Sequence, residues 1–187
     1  MRVATVKRTT AIPDYAFYRC RNLVKVILPE FILGIGNNAF GGCENLREIN
    51  FPDSLVRIGN GAFWNCRSLN RVTISGVSEI GEEAFRRCTG LIYCYFKNTQ
   101  VTILEQNTFS DCINLKEIHV PPSLNEIKNN VFNRCENIEN IGLPDNLSII
   151  SVGVFSNCKK LKSIRLPSEL SRIERNTFYK CENLETV

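Results

Sequence analysis

The sequence predicts an α/β solenoid: one elongated domain over residues 1–187, in which a strand and a short helical turn recur eight times. Three observations carry that prediction. A cysteine recurs every 22–24 residues, at Cys20, Cys43, Cys66, Cys88, Cys112, Cys135, Cys158 and Cys181. A phenylalanine stands three residues before each, from Phe17 and Phe40 through Phe155 and Phe178. A leucine or isoleucine stands three residues after, from Leu23 to Leu184. One template held at a fixed period marks stacked repeats, each of which buries its apolar face only against its neighbours.

Each element of the unit has its own signal. After the template Leu, polar and apolar residues alternate, as in Leu23–Leu28 and Leu161–Leu166, which predicts a short strand with one buried face. Pro29, Pro52, Pro121, Pro144 and Pro167 then end the ladder. Apolar pairs three apart, such as Leu55 with Ile58 and Leu124 with Ile127, form an extended return, followed by turns with Gly or Asn. The Phe-x2-Cys-x2-Leu segment has i, i+3, i+6 spacing, which predicts one or two turns of helix or 3₁₀ helix. Copies stacked ~4.8 Å apart set Phe on Phe, Cys on Cys and Leu on Leu. A period of 20–29 residues with this register reads as a leucine-rich repeat solenoid, a curved right-handed superhelix. Val3 and Val187 take equivalent strand positions, and neither end carries a polar cap. The chain is therefore expected to be a slice of a longer array, with end-to-end contacts through its uncapped termini.

Composition narrows the function. With 43% hydrophobic and 22% charged residues the chain is globular. No apolar run approaches the ~18 residues of a membrane helix, so no membrane insertion is expected. The net charge of +4 is concentrated in residues 1–25, where six basic side chains face Asp14 alone. No basic stretch is interleaved with aromatics, so no nucleic-acid partner is expected. His119 is the only histidine, no Cys-x2-Cys pair exists, and the phosphate-loop, metalloprotease and nucleophile-elbow motifs are missing. The expectation is no enzyme, no metal and no cofactor. Cysteines in a linear row, one per repeat, read as small buried hydrophobes, with Cys94 replacing the aliphatic residue of its strand. Asn146-Leu-Ser148 fits the glycosylation pattern and reads as a chance tripeptide.

Exposed strand positions are where specificity can reside. One column reads Arg2, Lys25, Glu48, Arg71, Tyr93, Glu117, Asn140, Ser163, Thr186, and the next Ala4, Ile27, Asn50, Thr73, Tyr95, His119, Gly142, Arg165. These vary while the core columns hardly do. Tyr93 and Tyr95 fall together beside Arg71, Glu117 and His119, and Tyr and Arg are enriched at interface hot spots. The five are the expected partner-binding centre on the concave sheet; the competing reading is that Tyr simply suits an exposed strand. Trp64 and Tyr179 read as surface packing on the outer side.

The pattern Ala39-Phe40-x2-Cys43-x2-Leu46-x2-Ile49-x-Phe51-Pro52-x2-Leu55-x2-Ile58 resembles the BspA-like class of leucine-rich repeats, over the whole chain. Two departures are local: Ser75-Gly76 stands where Pro is expected in a repeat one residue short, and Lys97–Gln100 replaces the Pro turn in a repeat one residue long. The resemblance implies a non-catalytic protein-binding module, with adhesion or recognition at a cell surface and a host or extracellular-matrix protein as ligand. The alternatives are an intracellular scaffold and a structural spacer. Residues 1–10 lack the apolar core of a signal peptide. The expected location is the cell surface or the medium if the chain belongs to a longer exported protein, and the cytoplasm if Met1 is the true start.

Overall fold

The structure, a computed structural model, describes residues 2–187; Met1, on which the expectation about the start of the chain rests, lies outside them. The chain winds as a parallel β-solenoid. Strands of a first sheet are β1 (Val3–Thr5), β3 (Lys25–Ile27), β5 (Glu48–Ile49), β7 (Arg71–Ser75), β9 (Tyr93–Lys97) and β11 (Glu117–His119). They alternate with strands of a second sheet: β2 (Ala11–Ile12), β4 (Gly34–Ile35), β6 (Arg57–Ile58), β8 (Glu79–Ile80), β10 (Ile103–Leu104), β12 (Glu126–Ile127) and β13 (Ile149–Ile150). Single bridges Asn140 to Ser163 and Ser163 to Thr186 carry the first sheet's pairing onward.

The first strand corrects the expected register. Ala4, not Val3, pairs with Val26 and is buried, while Val3 is half-exposed beside Lys25. Val3 is thus one position out of step with Val187. The two exposed columns begin at Val3 and Thr5 rather than at Arg2 and Ala4.

The expected helical turns are not formed; the described residues contain no helix. The reason lies in two backbone positions per coil. Residues two before and two after each template Phe have positive φ: Tyr15 and Arg19 around Phe17, Asn38 and Gly42 around Phe40, and so on to Asn176 and Lys180 around Phe178. A left-handed residue ends a right-handed helix. Amides in this segment instead divide between two jobs. Those of Ala16, Tyr18 and Cys20 close turns onto the carbonyls of Pro13, Tyr15 and Phe17. Those of Tyr15, Phe17 and Arg19 reach across to Asn37, Ala39 and Gly41 of the next coil at 2.7–2.9 Å. Three-residue spacing therefore reports successive turns, and the turn layer carries its own ladder between coils.

Inside, like residues stack on like. The rings from Phe17 to Phe178 lie 5.2–5.9 Å apart with planes within 10° of parallel. The six central ones are fully buried. At roughly 1.5–3 kcal/mol per buried large apolar side chain, this column and the Leu/Ile columns beside it supply most of the stabilisation. All nine cysteines are unpaired thiols, seven of them buried.

Candidate functional site

Strands β7 and β9 are the longest in the molecule, at five residues each. Ser75 and Lys97 stand where the coils on either side have Pro52 and Pro121, and Arg71–Ser75 pairs along its length with Tyr93–Lys97. Alternation turns Val72, Cys94 and Ile118 inward and leaves Arg71, Tyr93 and Glu117 in one outer column, with Thr73, Tyr95 and His119 in the next.

The five expected site residues meet as one patch. The Arg71 guanidinium lies 4.7 Å from the Tyr93 ring centre, a contact worth roughly 0.5–1 kcal/mol at an exposed site. The Tyr93 and Tyr95 rings stand 6.4 Å apart with planes 7° from parallel. His119 sits 5.0 Å from Tyr95, and its Nε2 is 2.6 Å from Glu117 Oε1. Partial burial, then the nearby Glu117 carboxylate, push the Tyr95 hydroxyl above its ordinary range, against a smaller opposing effect of Arg71. The patch is thus pre-ordered by its own contacts, which lowers the side-chain entropy lost when a partner binds.

A feature missed at the sequence level lies alongside. The first sheet is interrupted: β1, β3 and β5 form one ladder and β7, β9 and β11 another, with no backbone bonds between β5 and β7. The cause is a mismatch of adjacent coils. β5 is only two residues long, because Asn50 pairs with Leu28 through its side-chain amide (2.7 and 2.9 Å) and the chain then turns out at Pro52. β7 runs straight on. The coils rejoin where Ser75 Oγ donates to Asp53 and Gly76 (φ 71°) packs against the Asp53 carbonyl. Between them opens a cleft of about 600 Å³, walled by Val26, Ile27 and Ile49, which continues into one of about 390 Å³ beside Thr73 and Lys97. Its sequence signal is the short repeat and the missing proline, with Ser75 standing where the preceding coil has Pro52. The second sheet is likewise interrupted between β8 and β10, within the long repeat.

The remaining candidates fall elsewhere. Trp64 is half-buried and Tyr179 exposed, both on the turn layer, where Lys180 stands 5.3 Å over the Tyr179 ring. Among the described residues, no group of three or more His, Cys, Asp or Glu side chains converges as a metal site would. Nor, among those residues, is any helix long and apolar enough to cross a membrane.

Comparison with known proteins agrees with the repeat fold. The chain is similar to a leucine-rich repeat protein from Bacteroides ovatus (26% identity over 98% of this chain and 62% of that one, TM-score 0.67). It is also similar to a leucine rich cell surface protein from Faecalibacterium prausnitzii (26% identity, 88% of this chain and 47% of that one, TM-score 0.76). A third likeness is to the leucine rich repeat protein of T. pallidum (28% identity, 85% and 77%, TM-score 0.72). The chain spans less than two thirds of the first two. A search of curated proteins finds no match. A model of the BspA type leucine rich repeat region matches residues 10–138 and 96–187. With the repeat template, the parallel solenoid and this match in agreement, the chain belongs to the BspA-type leucine-rich repeat family.

Proposed function

We propose that this chain is a non-catalytic protein-binding module, acting in adhesion or recognition at a cell surface through the exposed face of its first sheet. We read the Phe column as eight copies of the repeat forming a gently curved right-handed array, with this sheet on the concave side. The observation that carries the reading is the patch of Arg71, Tyr93, Tyr95, Glu117 and His119. It gathers aromatic and cationic side chains on the longest strands of the repeat scaffold, β7 and β9, and on β11. Aromatic side chains with few rotatable bonds and an arginine held over a ring are the groups that most often dominate interface energy. Membership of a repeat family with a cell-surface neighbour supports the location.

The test is binding of the intact chain and a Tyr93→Ala, Tyr95→Ala variant to a panel of immobilised, purified extracellular-matrix proteins, after circular dichroism has shown that both fold. Saturable binding to a matrix protein, weakened tenfold or more in the variant, is the expected result. Equal binding by both proteins moves the interface away from this patch. Binding to none of the panel rejects adhesion to matrix.

A further inference from the structure

We infer that the break between β5 and β7 is a docking cleft for an extended acidic peptide segment of a partner protein, one that alternates carboxylate and aliphatic side chains. This rests on the reading of the first sheet as a protein-binding face and adds the chemistry of what is bound.

Charge is the first argument. Arg47, Arg71 and Lys97 line the two parts of the cleft, and none has a carboxylate within 4.0 Å among the described residues. The acids there are already engaged. Glu48 is held by Lys25 at 2.7 Å, which keeps its carboxyl below the usual range, and Asp53 accepts from Ser75. Unpaired cations beside satisfied anions leave a net demand for negative charge.

Apolar surface is the second. Ile27 is 41% exposed in the cleft lining, and Ile49, which packs against the core, is left half-buried there. Backbone geometry is the third. β7 faces the cleft as an unpaired strand edge, whose amides and carbonyls suit an extended chain laid along it. An extended peptide presents side chains to opposite faces in turn. One set of an alternating peptide therefore enters the Ile27–Ile49 wall while the other reaches Arg47 and Arg71.

The probe is a fluorescein-labelled decapeptide alternating Glu with Val, compared by fluorescence anisotropy with one alternating Lys with Val. Saturable binding of the Glu peptide to the intact chain is expected, tenfold or more tighter than the Lys peptide and weakening as NaCl rises. Arg47→Glu with Lys97→Glu, which leaves the patch residue Arg71 in place, should weaken the Glu peptide at least tenfold and favour the Lys peptide. If that variant does not fold, Arg47→Gln with Lys97→Gln is read instead, with a smaller loss in the same direction. No saturable binding, or binding insensitive to salt and to both of these charge variants, overturns the inference. Loss of the Glu peptide on Tyr93→Ala, Tyr95→Ala but not on either charge variant overturns the cleft and leaves the aromatic patch standing. Loss on the charge variants alone supports the cleft as a site separate from the patch.

Discussion

The thiol of Cys66 donates to the carbonyl oxygen of Phe40, 3.2 Å away and one coil earlier. That oxygen also accepts the amide of Cys43 at 3.0 Å, so both of its lone pairs are used. The relation recurs from Cys43 on Phe17 to Cys181 on Phe155, at 3.0–3.3 Å. Cysteine is therefore more than a small apolar filler: its weak donor satisfies the second lone pair of a carbonyl in each coil.

Cys66→Ala removes that donor and the volume of a sulfur atom at a fully buried site. A loss of about 1–2 kcal/mol is expected from urea melts. Cys20→Ala, at an exposed thiol without such a bond, is the control and should stay within ~0.5 kcal/mol of the parent.

The Phe column should prove the more costly one to break. Phe109 is fully buried between Phe85 at 5.5 Å and Phe132 at 5.9 Å, with Phe96 edge-on at 6.4 Å. Neighbours tied to its coil by the first-sheet ladder and the turn-layer ladder cannot collapse into the space it leaves. Phe109→Ala is expected to lower the urea-derived stability by ~3–5 kcal/mol. A change below about 1 kcal/mol would contradict a packed central column.

These columns were legible in the sequence because burial forces one residue type to recur at one place in every coil. The exposed patch was legible for the same reason, since strand alternation fixes which side Arg71, Tyr93 and Tyr95 face. The turn layer was not, because three-residue apolar spacing is common to helices and to consecutive turns. What separates them is the sign of φ at residues such as Arg19, Glu83 and Arg87, which are poor advertisements for a left-handed backbone. Asn38, Asn107 and Asn130 at the position of Glu83, and Asn65 and Asn157 at that of Arg19 and Arg87, were the available hint. The cleft escaped notice for another reason. It arises from the disagreement of two adjacent coils, Pro52 against Ser75, and a template built from each coil separately carries no term for that.

Stability should fall in alkali because of the cysteine row. Burial, the largest cause, pushes the Cys43 and Cys88 thiols up to about 12. An unfolded thiol titrates near ~8.5. Below that pH both states are protonated and the contribution is complete. Above it the unfolded chain loses protons that the folded chain keeps, so stability declines as pH rises toward the folded value. Each such thiol adds a slope of at most ~1.4 kcal/mol per pH unit. Urea melts between pH 8 and 10.5 should show a decline for the parent that is shallower for Cys88→Ala. Parallel curves would remove the thiols as its cause.

The contact that closes the cleft at its far end can be tested through one glycine. Gly76 has φ 71°, and a Cβ there would stand 2.1 Å from the Asp53 carbonyl oxygen, a backbone atom that cannot swing aside. A left-handed alanine alone costs roughly 1–2 kcal/mol, and relief of the overlap requires the two coils to part. Gly76→Ala is therefore expected to destabilise by more than ~2 kcal/mol. Gly142 supplies the comparison: it lies on the same sheet, and a Cβ there meets nothing within 4 Å. Gly142→Ala should be neutral or stabilising by up to ~1 kcal/mol, through the reduced freedom of the unfolded chain. If both alanines lowered the urea midpoint alike, loss of glycine as such would be the cause. The close packing of Gly76 on Asp53 would then not be what joins the two coils.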